Sequence, residues 1–314
     1  MKKPSSLGIG LMSYFLVCYM AYIPTWGRQI EVSKVIIVDG FSNHDWKQTS
    51  AVIKWLLEGT GLFEVDVTTI PLDSGAWSLW DPDFEPYDVV IQNTNNIHNP
   101  ELKWPEHAQK RLEEFVKKGG GLYVLHSANN AFPDWEEYNK MIGLGWRSAD
   151  KGVAIEIDAQ YKLVLHERGE GKGTSHGDRF DALIQVFNRH PINKDYPEAW
   201  KTVNTEVYSF PRGNAENITV LSSAYDSTDT QRVWPVEWVV SYGKGRVYNS
   251  SMGHLWRGEV YPESYRCVGF QTTVIRATEW LATGAVSYPL PVDFPDRDNS
   301  SLRPPDEFTF TSND

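Results

Sequence analysis

Three histidines stand beyond the ends of short segments that read as strands. His44 lies in Phe41-Ser42-Asn43-His44-Asp45-Trp46, just beyond residues 35–38. His126 directly follows residues 122–125, and His254 sits in Met252-Gly253-His254 after residues 246–250. Imidazole titrates near neutral pH, which suits it to general acid–base work, and its neutral form ligates divalent ions. Strands of one open sheet deliver their carboxyl ends to a common rim, where such sheets bind ligands. The three rings are therefore expected to meet although they lie far apart in the chain. Trp46, Trp146 and Trp256 lie near motif histidines. Aromatic faces stack on the C–H surfaces of sugars while indole keeps a polar handle, so these three are the candidates for a sugar site. Asn129 and Asn130 follow the His126 bend, where amide side chains either bind hydroxyl groups or cap a helix. Arg147 and Arg212 are open to two readings, as binders of hydroxyl or carboxylate groups or as solvent-paired cations.

The elements that must hold these residues follow from periodicity. Residues 35–38 are consecutive aliphatics, the mark of a strand buried on both faces. Val52, Ile53, Leu56 and Leu57 give residues 48–57 a helical stripe. Residues 63–67 and 89–91 read as the next strands. Pro105 suits the first turn of a helix whose apolar face is Ala108, Leu112, Phe115 and Val116. Gly119, Gly120 and Gly121 end it, and residues 122–125 form a fourth strand. Alternation of this kind, with short joints, predicts an α/β fold with a doubly wound, mostly parallel sheet. Residues 150–235 are richer in strands (153–157, 182–187 and 218–221). Residues 237–242 and 246–250 flank Gly243-Lys244-Gly245 as a hairpin. Val274, Ala277, Thr278 and Leu281 stripe a last helix, and proline and aspartate predict an extended or loose tail over 287–314.

The chain has 314 residues, 41% hydrophobic and 23% charged, enough for one large core. Acidic residues outnumber basic ones by 41 to 30, for a net charge of −11, which argues against a nucleic-acid partner. Two cysteines exclude a disulfide scaffold and a cysteine-based zinc ribbon. Lys2 and Lys3 precede the apolar residues 7–23, so residues 1–27 read as an export signal or a retained anchor. The expected location is exported, either periplasmic or membrane-tethered, with membrane contact only through an uncleaved N-terminal segment. Residues 31–286 are expected to form the folded domain. His190, before Pro191, reads as structural, and His98, His107 and His166 as surface residues.

The stretch from Gly119-Gly120-Gly121 through Leu125-His126-Ser127-Ala128-Asn129-Asn130-Ala131-Phe132 resembles the central motif of the ThuA-like (trehalose utilization) family. His44-Asp45-Trp46 resembles its first motif. Trp135, Tyr138-Asn139 and Met141-Ile142-Gly143-Leu144-Gly145-Trp146-Arg147 are similar to the segment that follows the central one. Ser175-His176-Gly177, His190-Pro191-Ile192 and Thr205-Glu206-Val207-Tyr208 resemble the middle region, and Gly243-Lys244-Gly245 through Gly253-His254 the closing motif. Each motif alone is weak; the ordered set, over about residues 34–282, is specific. Thr205 stands where the family usually has aspartate.

The resemblance implies a flavodoxin-like fold of the class I glutamine amidotransferase type. Those enzymes carry a cysteine nucleophile on the turn after a central strand, the position that His126 takes here. Cys267 lies near the start of the last helix, so amidotransferase chemistry is not expected. The implied role is carbohydrate utilization on a disaccharide or its keto form. His126, His254, Glu206, His176 and His44 are the candidate catalytic set, and Tyr208 joins the tryptophans and asparagines as a candidate for binding. Three histidines and a carboxylate also suit a divalent metal such as zinc, which is left open as a cofactor. Two other functions stay open: a non-catalytic sugar-binding accessory protein and a metal-dependent hydrolase.

Overall fold

The aliphatic runs pair side by side. In the computed structural model, which describes Met1 and residues 32–308, the chain runs β1 (Ser33–Asp39), α1 (Trp46–Glu58), β2 (Phe63–Thr69), β3 (Val89–Gln92), α2 (Glu106–Lys118), β4 (Gly121–Leu125) and α3 (Glu136–Ile142). The middle of the chain supplies β5 (Val153–Ile157), β6 (Leu163–His166), β7 (Leu183–Val186), β8 (Ala199–Lys201) and β9 (Arg212–Gly213). Next come β10 (Ile218–Tyr225), β11 (Val233–Tyr242), β12 (Gly245–Ser250), α4 (Glu263–Arg266) and α5 (Val268–Thr283). The export segment expected over 1–27 lies outside the described residues, except for Met1. Among the described residues no helix is long and apolar enough to cross a membrane.

The sheet order is β2-β1-β3-β4-β12-β11-β10-β7-β8. From β2 to β12 every pairing is parallel. Val35 and Ile37 turn to one face, against Val52, Ile53 and Leu57 of α1 and Val274, Ala277 and Leu281 of α5. Ile36 and Val38 turn to the other, with Ala108, Leu112 and Val116 of α2 and Tyr138, Met141 and Ile142 of α3. Helices on both faces explain why these strands are aliphatic without alternation. The doubly wound, mostly parallel central sheet expected from the sequence is thus present.

Local chemistry sets the joints. The Asp45 side chain accepts the Gln48 N–H at 3.1 Å and caps α1. Pro105 is the residue before α2 rather than its first turn, with extended ψ of 149°. Gly119 ends α2 at φ 130°, a conformation that a side chain would strain. The expected hairpin is formed by β11 and β12, which pair from Glu237–Ser250 to Tyr242–Gly245. Beyond it the sheet continues antiparallel through β10, β7 and β8.

As far as Phe308, the tail is pinned rather than loose. Ser301 accepts the Val268 N–H at 2.9 Å, Asp296 accepts the Lys201 N–H at 2.8 Å, and the Phe308 ring packs against Trp55 at 5.4 Å.

One core carboxyl stands apart from the site. Glu237 is 5% exposed and accepts hydrogen bonds from the Ser222 hydroxyl and, at 2.5 Å, the Tyr248 hydroxyl. Burial raises its pKa, only partly opposed by the two hydroxyls. A carboxyl raised in the fold keeps its proton where the unfolded chain has lost it. Its contribution is full below the unfolded value and falls as pH rises through the folded one. Glu237→Gln is therefore expected to melt above wild type at pH 7, by about 2–4 °C for each kcal/mol relieved. The gap should narrow as pH falls towards the ordinary glutamate range, and thermal melts at several pH values check it.

Candidate active site

Parallel pairing in register levels the strand ends. Gln92 pairs with Val124, and Leu125 with Ser250, so the loops after β1, β4 and β12 leave the same rim. They carry His44, His126 and His254, which are 8%, 2% and 6% exposed. The ring centroids lie 4.9 Å apart for His44–His126, 4.6 Å for His44–His254 and 5.2 Å for His126–His254. The convergence expected from the strand ends is what the fold produces.

Each ring is held by its surroundings. His126 opens a tight turn, residues 126–130, with φ 44°, a left-handed conformation that costs a non-glycine residue about 1–2 kcal/mol. This is the geometry of a nucleophile elbow, occupied by imidazole. The Ser251 carbonyl lies 2.6 Å from His126 Nδ1 and can only accept, so the proton is on Nδ1 and the lone pair on Nε2. That Nε2 is buried with no hydrogen-bond partner. His44 Nδ1 lies 3.0 Å from Asn43 Oδ1, which also accepts from Asn95 Nδ2 at 2.6 Å. The oxygen is thereby marked as the acceptor and His44 Nδ1 as the donor. For His254, Gly253 turns at φ 102°. The Tyr265 hydroxyl donates to the Gly253 carbonyl and the Ser264 hydroxyl to the His254 carbonyl, both at 2.8 Å.

Glu206 arrives from the loop between β8 and β9. Thr205 and Phe180 exchange backbone hydrogen bonds, as do Ser209 and Ser175, so residues 205–209 lie against 175–180. This places Glu206 and His176 together. Glu206 Oε1 is 2.7 Å from His254 Nδ1 and 3.5 Å from His176 Nε2, and Oε2 is 3.7 Å from His126 Nε2. The carboxylate side chain is 4% exposed and that of His176 35%.

Burial pushes the Glu206 carboxyl up, but contact with His254 and the nearby imidazoles of His126 and His176 outweigh it, and the net shift is downward. Burial drives the His126 imidazole well below its ordinary range and brings His44 down to about 3, helped by His254 and His176. The Tyr208 hydroxyl, 3.5 Å from His126 Nδ1, is pushed well up by burial and by Glu206, so it stays protonated. At neutral pH the centre thus holds an ionised carboxylate beside at least two neutral imidazoles.

The centre opens into a crevice of about 440 Å³ lined by Asn130, Trp146, Tyr208, Trp256 and Arg179. Trp146 meets Tyr208 edge-on at 5.1 Å, and Tyr208 stacks with His176 at 6.0 Å. Two expected binding residues are not on its lining. Trp46 faces a neighbouring hollow of about 580 Å³ that shares Asn43, His98 and Trp256 with the crevice. Asn129 turns inward, and its Nδ2 donates to the Leu144 carbonyl at 2.7 Å. Arg147 and Arg212 are struts rather than ligand binders or solvent-paired cations. Arg147 donates to the carbonyls of Asn130, Ala131 and Trp146, bracing the elbow from behind, and Arg212 to those of Lys172 and Gly152.

Other histidines sort by packing. His190 rests edge-on against Trp280 at 4.6 Å. His166, expected at the surface, is tucked in and lies 2.6 Å from Glu156 Oε2. His107 lies 2.9 Å from the Trp80 carbonyl oxygen. His98 is exposed, as expected, but sits on the crevice lining. Sequence reasoning also missed Arg179, which reaches the crevice and pairs with Glu259 at 2.6 Å. Its neighbour His176 was the only signal near it.

Comparison with known proteins bears on this geometry. The family model described as ThuA, trehalose utilisation, matches residues 34–281. A solved ThuA-like protein from Parabacteroides merdae is 32% identical over 87% of this chain and 98% of its own, with a TM-score of 0.80. A second, from Bacteroides uniformis, is 17% identical over 81% of this chain and 94% of its own, with a TM-score of 0.53, a likeness of fold. No curated protein matches the chain.

The depressed imidazoles make a stability prediction. A histidine held neutral by burial contributes fully above its unfolded value of about 6.5, and the contribution is lost as pH falls towards the folded value. Chelator-treated protein should therefore lose melting temperature as pH falls from 7 to 4. His44→Gln should flatten that decline, as thermal melts across the range will reveal.

Proposed function

The chain belongs to the ThuA, trehalose-utilisation family, and from that premise we propose that it acts in carbohydrate utilisation as an enzyme that moves protons on a sugar bound in the histidine crevice. The observation carrying this is the setting of Glu206, a buried carboxylate ringed by three imidazoles at 2.7, 3.5 and 3.7 Å and facing an aromatic-lined opening. A charge is costly to bury, and an arrangement that holds one ionised beside neutral bases suits proton transfer. Among the described residues no cysteine stands where amidotransferase chemistry needs its nucleophile. The elbow carries His126, and Cys267 is buried at the start of α5 with its thiol pushed up by burial.

The substrate class that fits best is a disaccharide bearing a keto group, because the carbonyl acidifies the adjacent C–H bond enough for an ordinary base. Glu206 takes that proton. The C–H electron pair forms a carbon–carbon double bond as the glycosidic C–O bond breaks, and the leaving oxygen takes up the proton that Glu206 passes on through His176. His176 suits the exit of the proton from Glu206. Its Nδ1 lies 2.6 Å from the Gly177 carbonyl oxygen, leaving Nε2 towards Glu206, and it is the most exposed ring of the group. Trp146 and Trp256 supply the faces for the sugar rings, backed by the buried Tyr208, and Asn130 and Arg179 the polar contacts.

The experiment offers keto-disaccharides in D₂O and follows deuterium exchange beside the ketone and product release by NMR. Glu206→Gln is expected to lower turnover by about 10²–10⁴-fold with little change in KM, and Trp146→Ala to raise KM. Wild-type turnover by Glu206→Gln would contradict the proposal. A wild type that binds sugars but neither exchanges nor cleaves them would make the protein the non-catalytic binder instead.

A further inference from the structure

We infer that His44, His126 and His254 form a site for a divalent metal of the zinc class on the floor of the crevice, with the metal acting on the keto oxygen of the sugar. This deepens the acid–base reading above and rests on it for the reaction, although not for the presence of the metal. One ring nitrogen from each histidine lies within 4.8 Å of the others, and all three residues are buried. Proximity alone is a weak sign; the decisive feature is how the opposite edge of each ring is occupied. His126 Nδ1 is 2.6 Å from the Ser251 carbonyl oxygen and His44 Nδ1 is 3.0 Å from Asn43 Oδ1, while His254 Nδ1 makes an ion-pair contact of 2.7 Å with Glu206 Oε1 rather than an aligned hydrogen bond. Carbonyl, amide oxygen and carboxylate are the partners that metal-bound histidines take on their far nitrogen, where they fix the ring and raise its basicity. The same pattern leaves Nε2 of each ring as the ligand atom. His126 Nε2 is the clearest case, a buried lone pair with no partner in the protein.

Three neutral nitrogens hold zinc or cobalt and leave one position open, as in catalytic rather than structural sites. The crevice lined by Trp146 and Trp256 also touches His44 and His254 and would supply the fourth ligand. As Glu206 removes the proton beside a ketone, negative charge collects on the keto oxygen, and a metal at the three histidines would neutralise it there. Glu206 would then have two duties: Oε1 positions His254, while Oε2, 3.7 Å from His126 Nε2, remains the base.

The test uses the full chain, loaded with Zn(II) or Co(II), dialysed, and measured by elemental analysis and, for cobalt, visible absorption. We expect about one metal per chain and a cobalt spectrum of low coordination number with imidazole ligands. His44→Gln and His126→Gln should each weaken retention by on the order of 100-fold, and Asn43→Ala, which leaves all three ligands in place, by roughly tenfold. His98→Gln, a rim imidazole outside the trio, should retain the metal. Should either ligand variant fail to fold by circular dichroism, the wild-type stoichiometry and cobalt spectrum decide. Less than about a tenth of an equivalent in wild type, or equal losses in His98→Gln and His44→Gln, would overturn the metal site. Metal absent while Glu206→Gln still abolishes exchange would sink the metal and spare the acid–base proposal. Metal bound one to one without any proton exchange would uphold the site and sink the reaction.

Discussion

A carboxylate held out of water must be compensated, and the centre of this protein is organised by that requirement. Glu206 is 3% exposed and no lysine or arginine is paired with it among the ion pairs of the described residues. Its compensation comes from imidazoles, which are polarizable, switchable between neutral and charged, and mostly neutral when buried. An arginine would have locked the charge in place. Imidazoles leave it able to accept a proton and pass it on, so the pairing that stabilises the buried group also keeps it reactive.

The scaffold makes this possible through parallel pairing. The strands β1, β4 and β12 lie within one parallel run and end on one level, so three distant loops become neighbours, and bonds such as Asp45 N–H to the Leu255 carbonyl at 3.1 Å then tie them together. The loop after β8 is not part of that run and is brought in by backbone exchange with residues 175–180. The elbow after β4 keeps the left-handed geometry that presents a side chain over the sheet, and Arg147 braces the carbonyls behind it. The turn thus presents an imidazole in the place where a nucleophile elbow presents its nucleophile.

Much of this was legible in the sequence because it depends on strand ends. Aliphatic runs without alternation mark parallel strands, and the residue after such a run lies on the rim, so His126 was readable, and His44 with it, while His254 was readable from the end of the hairpin strand 246–250. Glu206 and His176 were readable only through motif resemblance, since their meeting depends on bridges between loops that no periodicity records. The antiparallel extension past β11 was visible as strands but not as one sheet, because several of its members are only two to four residues long. Trp46 misled because proximity to His44 in sequence says nothing of direction. Helix α1 begins at Trp46 itself, and its first residue turns to the neighbouring hollow. Arg147 and Arg212 misled because charge suggests ligands or solvent, whereas a guanidinium with several donors also serves to gather backbone carbonyls inside a fold.

The most direct measurement is a crystal structure of the Glu206→Gln variant with an unreacted keto-disaccharide bound. One sugar ring is expected against Trp146 and Trp256, with the carbon beside its ketone within about 3.5 Å of the side chain at position 206. A sugar bound elsewhere, or one whose keto side points away from position 206 and towards solvent, would contradict it.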